Sequence, residues 1–529
     1  MIGARVQIGL LVTAIAFFSV TSLFFFSFTA DDAFIVARYA VNARDLGEWS
    51  FNPGERVSAM TSPLHGIVLM GLSLAADDPL LLYKVTALIL VVAAFAFLLA
   101  RFGVRRREAG PLAAVMVAPS FVLWMSAGLE TPLLAAIVAA MATVFSCTKA
   151  TDERRLFILA VLAGLAVLAR YDAALFAGPV LLSAILQRGH SWRVRILTLV
   201  IAAMVPAGWF LYSWMHFGAI LPTSFYIKTP SGAFDVLAAN ARYIGEHLAI
   251  TGVVAMAVYA GARLATGGMV GPVLRDEVRA RWGLHLGLIA VLIYGASMAT
   301  VHMMFAFRHF MPYLAPAALS LALLARRAGD EVPRTDAPSR WLEAIVVLLI
   351  LTVHALQGDA LYRRSLQGLG SDGEYAAEGM EGYERDFIPA MRRNADDVRA
   401  HWESLNMGRP PRIWTFAAGA LPYEFRSAYI FEELVSFRHR CPPREPGERP
   451  DARYWRPHAD YIHAFSRHGA LGRLLSPVRA RQVQLISQHP IFFNGRDEML
   501  LVYYNPAPRP NILPARIDEP CTASPSEGG

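Results

Sequence analysis

Charge and cysteine are both scarce in this chain. Of 529 residues, 17% are charged and three are cysteines. Soluble domains carry about a quarter charged residues, so the first shortage argues against an ordinary soluble fold. No CxxC pair and no Cys/His spacing of a zinc site occurs, which removes the usual sequence signs of a redox or zinc centre. There is no nucleotide-binding Gly-rich loop, no Walker pattern and no internal repeat.

What the chain has is apolar length. Hydrophobic residues make up 55% of it, and the mean hydropathy is +0.39. A spanning helix needs about 20 mostly apolar residues. Runs of that kind recur at roughly 7–28, 80–100, 111–127, 131–148, 156–170, 173–187, 196–215, 247–265, 283–301, 309–325 and 341–357. The expected fold class is a polytopic α-helical membrane protein with about 11 transmembrane helices and a C-terminal extracytoplasmic α+β domain. Thr61 to Ala76 is apolar but short, and is read as an interfacial or re-entrant helix. The net charge of +7 would suit nucleic acid, but the arginines cluster between apolar runs. The positive-inside rule explains them without a nucleic-acid partner. The clusters Arg101 to Arg107, Arg188 to Arg195, Arg275 to Arg281 and Arg326 to Arg340 then fall on the cytoplasmic side. The first run follows Arg5, is longer than a signal-peptide core and has no small-residue cleavage site after it. It is read as an uncleaved span with a cytoplasmic N-terminus in the inner (cytoplasmic) membrane.

Two domains follow. Residues 1–357 form the membrane part, with a first external loop at 29–79. Residues 358–529 are polar and Pro- and Arg-rich, and form the extracytoplasmic part, with a disordered tail from about 508. Strands are expected at Arg412–Phe416 and Met499–Tyr504, and a helix within Glu374–Asn406. Cys147 reads as a small core residue, and Cys441 and Cys521 as the pair available for a disulfide outside the cytoplasm.

With the chain threaded in this way, isolated polar residues gather on the outer side. Asp31, Asp32 and Arg38 follow the first span. Glu130 lies in SAGLETP, Arg170 and Asp172 in LARYD, and His216 and Lys228 flank FGAILPTSFYI. His302, Arg308 and His309 lie in VHMMFAFRHF. Each alone has an ordinary explanation as a helix end, a snorkelling cation or a solvated charge. Together, acids and cations on one side of a membrane suit a lipid phosphate leaving group. Arg38, Arg170, Lys228 and Arg308 are the candidate phosphate cradle. Asp31 or Asp32 is the candidate general base for an acceptor hydroxyl. Glu130, Asp172, His216, His302 and His309 are candidate substrate contacts.

The run DDAFIVARYAVNARDLGEWSFNPGERV, followed by TSPL, resembles the first external loop of GT-C membrane glycosyltransferases. The nearest subgroup uses polyprenyl phosphate sugars and includes the mycobacterial terminal arabinofuranosyltransferases and bacterial mannosyltransferase-like enzymes. SAGLETPLLAA, FGAILPTSFYIK and FRHFMPYLAP are similar to it as well. With a phosphate as leaving group one base suffices, so inversion is expected, and the resemblance implies transfer of arabinofuranose, or of a hexose such as mannose, from a polyprenyl phosphate donor. The acceptor would be a cell-envelope glycan or glycolipid at the outer face of the membrane. It implies that an acid of the Asp31–Asp32 pair is the base, and it requires no cofactor, with a divalent metal left open. LARYD, PTSF and TSPLH depart from the subgroup's pattern, which bears on the donor sugar. A polytopic transporter or flippase is the alternative. It would favour repeats, broken helices and charges at the midplane. A non-catalytic assembly protein is a third reading, and would leave the acid pair dispensable.

Overall fold

The computed structural model describes residues 2–227 (except 105, 150 and 188), 237–266, 270–297, 305–330, 338–363, 387–435 (except 433 and 434), 458–465 and 482–508 (except 494 and 495). It begins with an apolar helix, α1 (Ile2–Phe25). After a short turn comes α2 (Asp31–Leu46), which carries both acids in its first turn, where the helix dipole favours them. Gly47, in the left-handed region at φ 72°, ends it. The next helix, α3 (Pro63–Ser73), starts with proline at N1 and Ser62 as its cap. The long α4 (Pro79–Phe102) is capped by Asp78, whose carboxylate accepts from the Leu80 and Leu81 amides.

The bundle continues through α5 (Ala109–Met116), α6 (Pro119–Ser126), α7 (Thr131–Cys147), α8 (Glu153–Ala169), α9 (Ala174–Ile185) and α10 (Trp192–Phe217). A short α11 (Thr223–Ile227) precedes α12 (Leu237–Ile250), α13 (Val253–Thr266), α14 (Val270–Ser297), α15 (Leu314–Asp330) and α16 (Pro338–Arg363). The core lies around α5, α6 and α7, which are buried almost throughout. The outer helices present apolar side chains outward, Leu23 82% and Met215 72% exposed, as a lipid-facing surface requires. Helix α14 approaches α9 closely because Gly283 and Gly287 have no side chain. A Cβ at Gly283 would meet the Pro179 carbonyl, and one at Gly287 would lie 2.9 Å from Phe176 O.

All eleven expected apolar segments meet helices, but the expected count of spans is not reached by length. Among the described residues, four helices are long and apolar enough to cross a membrane: Ile8–Phe25, Pro79–Phe102, Trp192–Phe217 and Gly271–Ser297. Two bent pairs raise this to six, α5 with α6 at 52° and the α12–α13 pair at 68°. The physical reason is length. The 17 residues of α7 reach only about 26 Å at ~1.5 Å each, short of a ~30 Å hydrocarbon core.

The C-terminal part is α+β, as expected. Helix α16 runs past the expected boundary at 357, to Arg363. Helix α17 (Ile388–Leu405) packs on a five-stranded sheet, and a single-turn helix, α18 (Ala420–Glu424), follows the first strand. The strands are β1 (Arg412–Trp414), β2 (Tyr429–Phe431), β3 (Tyr461–Phe465), β4 (Gln484–Phe493) and β5 (Arg496–Tyr504), in the order β2-β1-β3-β5-β4. β1 runs parallel to β2 and β3, while β5 is antiparallel to β3 and β4. Cys441, Cys521 and all but the first residue of the tail expected from about 508 lie outside the described residues.

This sheet domain sits on the segment that follows α1. Asn52 exchanges two hydrogen bonds with the Ile430 main chain, at 2.9 and 3.0 Å. Tyr429 donates its hydroxyl to Glu55. Phe34 packs against Tyr423, with ring centroids 5.5 Å apart.

Candidate active site

Five side chains from four separate stretches meet at the N-terminal end of α2. Arg308 Nη1 lies 3.3 Å from Asp32 Oδ2. Its Nη2 lies 3.3 and 3.4 Å from the two Glu130 oxygens. Glu130 reaches Arg170 at 3.9 Å. Arg170 then forms a two-point pair with Asp172 at 3.0 and 2.6 Å, the fork geometry that suits a carboxylate. The result is a chain of alternating charge: Asp32, Arg308, Glu130, Arg170, Asp172. Arg170 Nη2 also donates to His309 Nδ1 at 2.6 Å, which places a neutral ring's proton on Nε2.

The elements explain the meeting. Asp32 opens α2, Glu130 stands one residue ahead of α7, and Arg170 caps the C-terminal end of α8. Arg308 follows two non-glycine residues at positive φ, Ala306 (51°) and Phe307 (61°). Left-handed backbone costs about 1–2 kcal/mol per such residue. The turn aims the Ala306 carbonyl at Trp124 Nε1, 3.1 Å away, and the Arg308 guanidinium stands 5.6 Å from the Trp124 ring. Non-glycine strain next to a charged cluster is a mark of functional sites.

Burial sets the electrostatics. Burial alone would raise the Glu130 pKa, but Arg308 and Arg170 outweigh it and hold the carboxyl below its usual range. Burial likewise opposes the Arg170 charge, and Asp172 and Glu130 overcome it, so its pKa stands above the ordinary value. Asp31 is different. Its Oδ1 accepts from the Ala420 amide at 2.8 Å. Burial pushes its pKa up to about 7 against the pull of that amide, and the charge of Asp32 adds to the rise. Asp32 has a side chain 57% exposed and is engaged with Arg308. The two neighbours therefore occupy different environments, the pattern that separates roles in paired carboxylates.

Other expected residues stand elsewhere. Arg38 is fully buried and does not join the cradle. Its guanidinium donates to the carbonyls of Phe51, Pro422, Arg426 and Ala428, so its donors bolt the sheet domain onto α2. His216 ends α10, stacked on Tyr212 with centroids 5.1 Å apart. Lys228 and His302 lie outside the described residues. Sequence reasoning missed Trp124 and the Gly419–Ala420 corner. It also missed His65, a buried ring 4.5 Å from Tyr83 whose nitrogens find no hydrogen-bond partner among the described residues and which feels the charges of Glu130 and Arg308. Among the described residues no three metal-ligating side chains gather. A cavity of about 190 Å³ lined by His247, Phe310 and Tyr313 lies between α12 and α15 and is nearly all apolar.

The architecture, a helical bundle with a sheet domain docked over its first loop, matches solved structures along nearly its whole length. A crystal structure of ArnT from Cupriavidus metallidurans bound to undecaprenyl phosphate superposes with a TM-score of 0.54 at 13% identity, covering 93% of this chain and 98% of that one. The apo form of the same protein gives 0.52 at 14% identity, covering 92% and 97%. These likenesses show the fold, which is GT-C, and the chain is a multi-pass membrane protein. In sequence, the terminal beta-(1->2)-arabinofuranosyltransferase of Mycobacterium tuberculosis is 26% identical over 246 residues. That match takes in 43% of this chain and 39% of the relative, so the chain spans about two fifths of the curated protein it matches. No protein-family model matches the chain.

Proposed function

We propose that this chain is an inverting glycosyltransferase that takes a sugar from a polyprenyl phosphate donor. The observation that carries the reading is the charged chain Asp32–Arg308–Glu130–Arg170–Asp172, built at helix ends beside an acid of raised proton affinity. The donor sugar is arabinofuranose, the sugar named for the mycobacterial relative, with a hexose such as mannose as the second option. The donor lipid is of the class bound by the ArnT structure. The acceptor is an envelope glycan or glycolipid, and the reaction takes place at the outer face of the inner membrane. The N-terminus is cytoplasmic and the sheet domain extracytoplasmic. That domain follows α16, whose last residue is Arg363.

The chemistry follows from the geometry. Asp31 takes the proton of an acceptor hydroxyl, since a base works best with a pKa near the operating pH. The hydroxyl oxygen bonds to the anomeric carbon from the face opposite the phosphate. The bond from that carbon to the phosphate oxygen breaks, and the phosphate leaves with the electron pair. Arg308 and Arg170 stabilise the charge that grows on it. Asp32 and Glu130 keep those arginines aimed, and Asp172 and His309 hold Arg170 from behind.

The test uses purified protein in lipid with a panel of labelled polyprenyl phosphate sugars and envelope glycans. Sugar transfer by wild type that collapses in Asp31→Asn, with folding intact, supports the reading. Collapse only in Asp32→Asn moves the base by one residue. Transfer that survives both changes refutes the assignment. Lipid movement without transfer would favour the transporter instead.

A further inference from the structure

The first-loop acids are held by a corner of the sheet domain. β1 ends at Trp414, and the turn after it is rigid: Thr415 Oγ1 accepts from the Ala417 amide at 3.2 Å and donates to the Ala417 carbonyl at 3.0 Å. Gly419 follows, then the first amide of α18. A Cβ placed on Gly419 would run into the Cγ, Oδ1 and main-chain oxygen of Asp31. The Ala420 amide donates to that same Oδ1 at 2.8 Å. Main chain of one domain thus lies directly against the carboxylate of another, with no space between them.

The seat is reinforced away from the carboxylate. Three of the four Arg38 carbonyl partners, Pro422, Arg426 and Ala428, belong to the sheet domain. Asn52 locks to Ile430, and Arg426 stands 3.7 Å from Asp45. These contacts fix the domain along α2, so the corner cannot shift without the helix. The missing room for one methyl group presses the corner on the carboxylate and the main-chain oxygen of Asp31 together, and the Ala420 amide ties it to the carboxylate itself.

We infer that the Gly419–Ala420 corner is a positioning element that fixes the rotamer of Asp31 for proton abstraction. This rests on the reading of Asp31 as the base. It assigns the sheet domain a part in the chemistry. The corner touches no reacting atom and acts only through Asp31. Asp32 on the same helix acts on Asp31 as a like charge, while the sheet domain faces it with the Gly419 and Ala420 amides.

The experiment compares wild type, Gly419→Ala, Asp31→Asn and the double variant in lipid, with polyprenyl phosphate arabinofuranose as donor. Gly419→Ala is expected to lower kcat at least tenfold with donor KM within twofold, since the donor cradle is untouched. In the Asp31→Asn background the same change should have no further effect on residual turnover. A stability cycle needs no substrate: Gly419→Ala should destabilise wild type and cost less in Asp31→Gly, where the colliding carboxylate is gone and only the main-chain oxygen of residue 31 stays in the way. If Gly419→Ala does not fold, Asn52→Ala lets the corner lift without adding atoms, and the same kcat loss confined to the Asp31 background is expected. Wild-type kcat in the variant, or a loss that persists in Asp31→Asn, overturns the inference alone. Full turnover by Asp31→Asn, or none by wild type, overturns the underlying reading instead.

Discussion

Glu130 joins the two arginines, and its removal is the most informative single change. Glu130→Gln keeps the shape and one acceptor oxygen but deletes the charge. The carboxylate lies 3.3 Å from Arg308 and 3.9 Å from Arg170. At an effective dielectric near 20, each attraction is about 4–5 kcal/mol. Desolvating the carboxylate offsets several kcal/mol of that, and losing one partner of a buried pair typically costs about 3–5 kcal/mol. The variant should therefore unfold at a temperature several degrees lower in detergent. The same change removes the carboxylate that the two guanidinium groups share, leaving each with one acid partner, and a phosphate can take the vacated place. Undecaprenyl phosphate at 100 times its Kd stabilises a binding protein by about 2.7 kcal/mol. A tenfold tighter Kd in the variant would add about 1.4 kcal/mol. The assay is thermal unfolding followed by tryptophan fluorescence, with and without the lipid phosphate. Glu130→Gln should start lower and gain more. A variant as stable as wild type, or one that gains less from the lipid, would refute the claim that Glu130 keeps these arginines ready for an anion.

Three more outcomes follow from the same contacts. Asp31 binds a proton more readily in the folded chain than in the unfolded one, so its burial destabilises the protein above pH 7 and the penalty fades as pH falls toward 3.8. Asp31→Asn should be inactive yet more stable than wild type at pH 8, by on the order of a few kcal/mol, with the gap closing below pH 7. Wild-type kcat/KM should rise with pH and level off above about 7, and a flat profile would exclude Asp31 as base. Arg38→Ala leaves four carbonyls without their donor, each loss costing about 1–3 kcal/mol where burial persists. Limited proteolysis should then release the sheet domain faster, and unchanged cleavage rates would show that Arg38 is no bolt. Arg308→Lys keeps the charge but loses the reach from Asp32 to Glu130, and kcat should drop by about 10²–10³. Full activity in that variant would move the leaving group away from Arg308.

The sequence carried the architecture well, because apolar runs and arginine clusters are local signals. Each of the eleven expected segments has a helix, and β1 and β5 lie where short apolar runs stood in a polar region. What the runs did not carry is which helices suffice alone to span. Buried helices in a bundle can be short, since their neighbours supply the apolar surroundings. Composition registers the apolar character of α7 and cannot tell protein from lipid around it.

The site was half legible for a different reason. Asp32, Glu130, Arg170, Asp172, Arg308 and His309 were all marked as misplaced polarity beside apolar runs, and the fold joins them in one connected set. Arg38 had the same signature and a different fate. Its Pro422, Arg426 and Ala428 acceptors are main-chain carbonyls more than 380 positions along the chain. A carbonyl has no residue type, so no sequence pattern announces it. Gly419 is silent for the complementary reason, because its role is the absence of a methyl group opposite Asp31. Side-chain charge shows where ions gather, but main-chain donors and acceptors decide which ion is a bolt and which is a base. Between Asp31 and Asp32, identical in type and adjacent in sequence, that difference is the Ala420 amide on one side and Arg308 on the other.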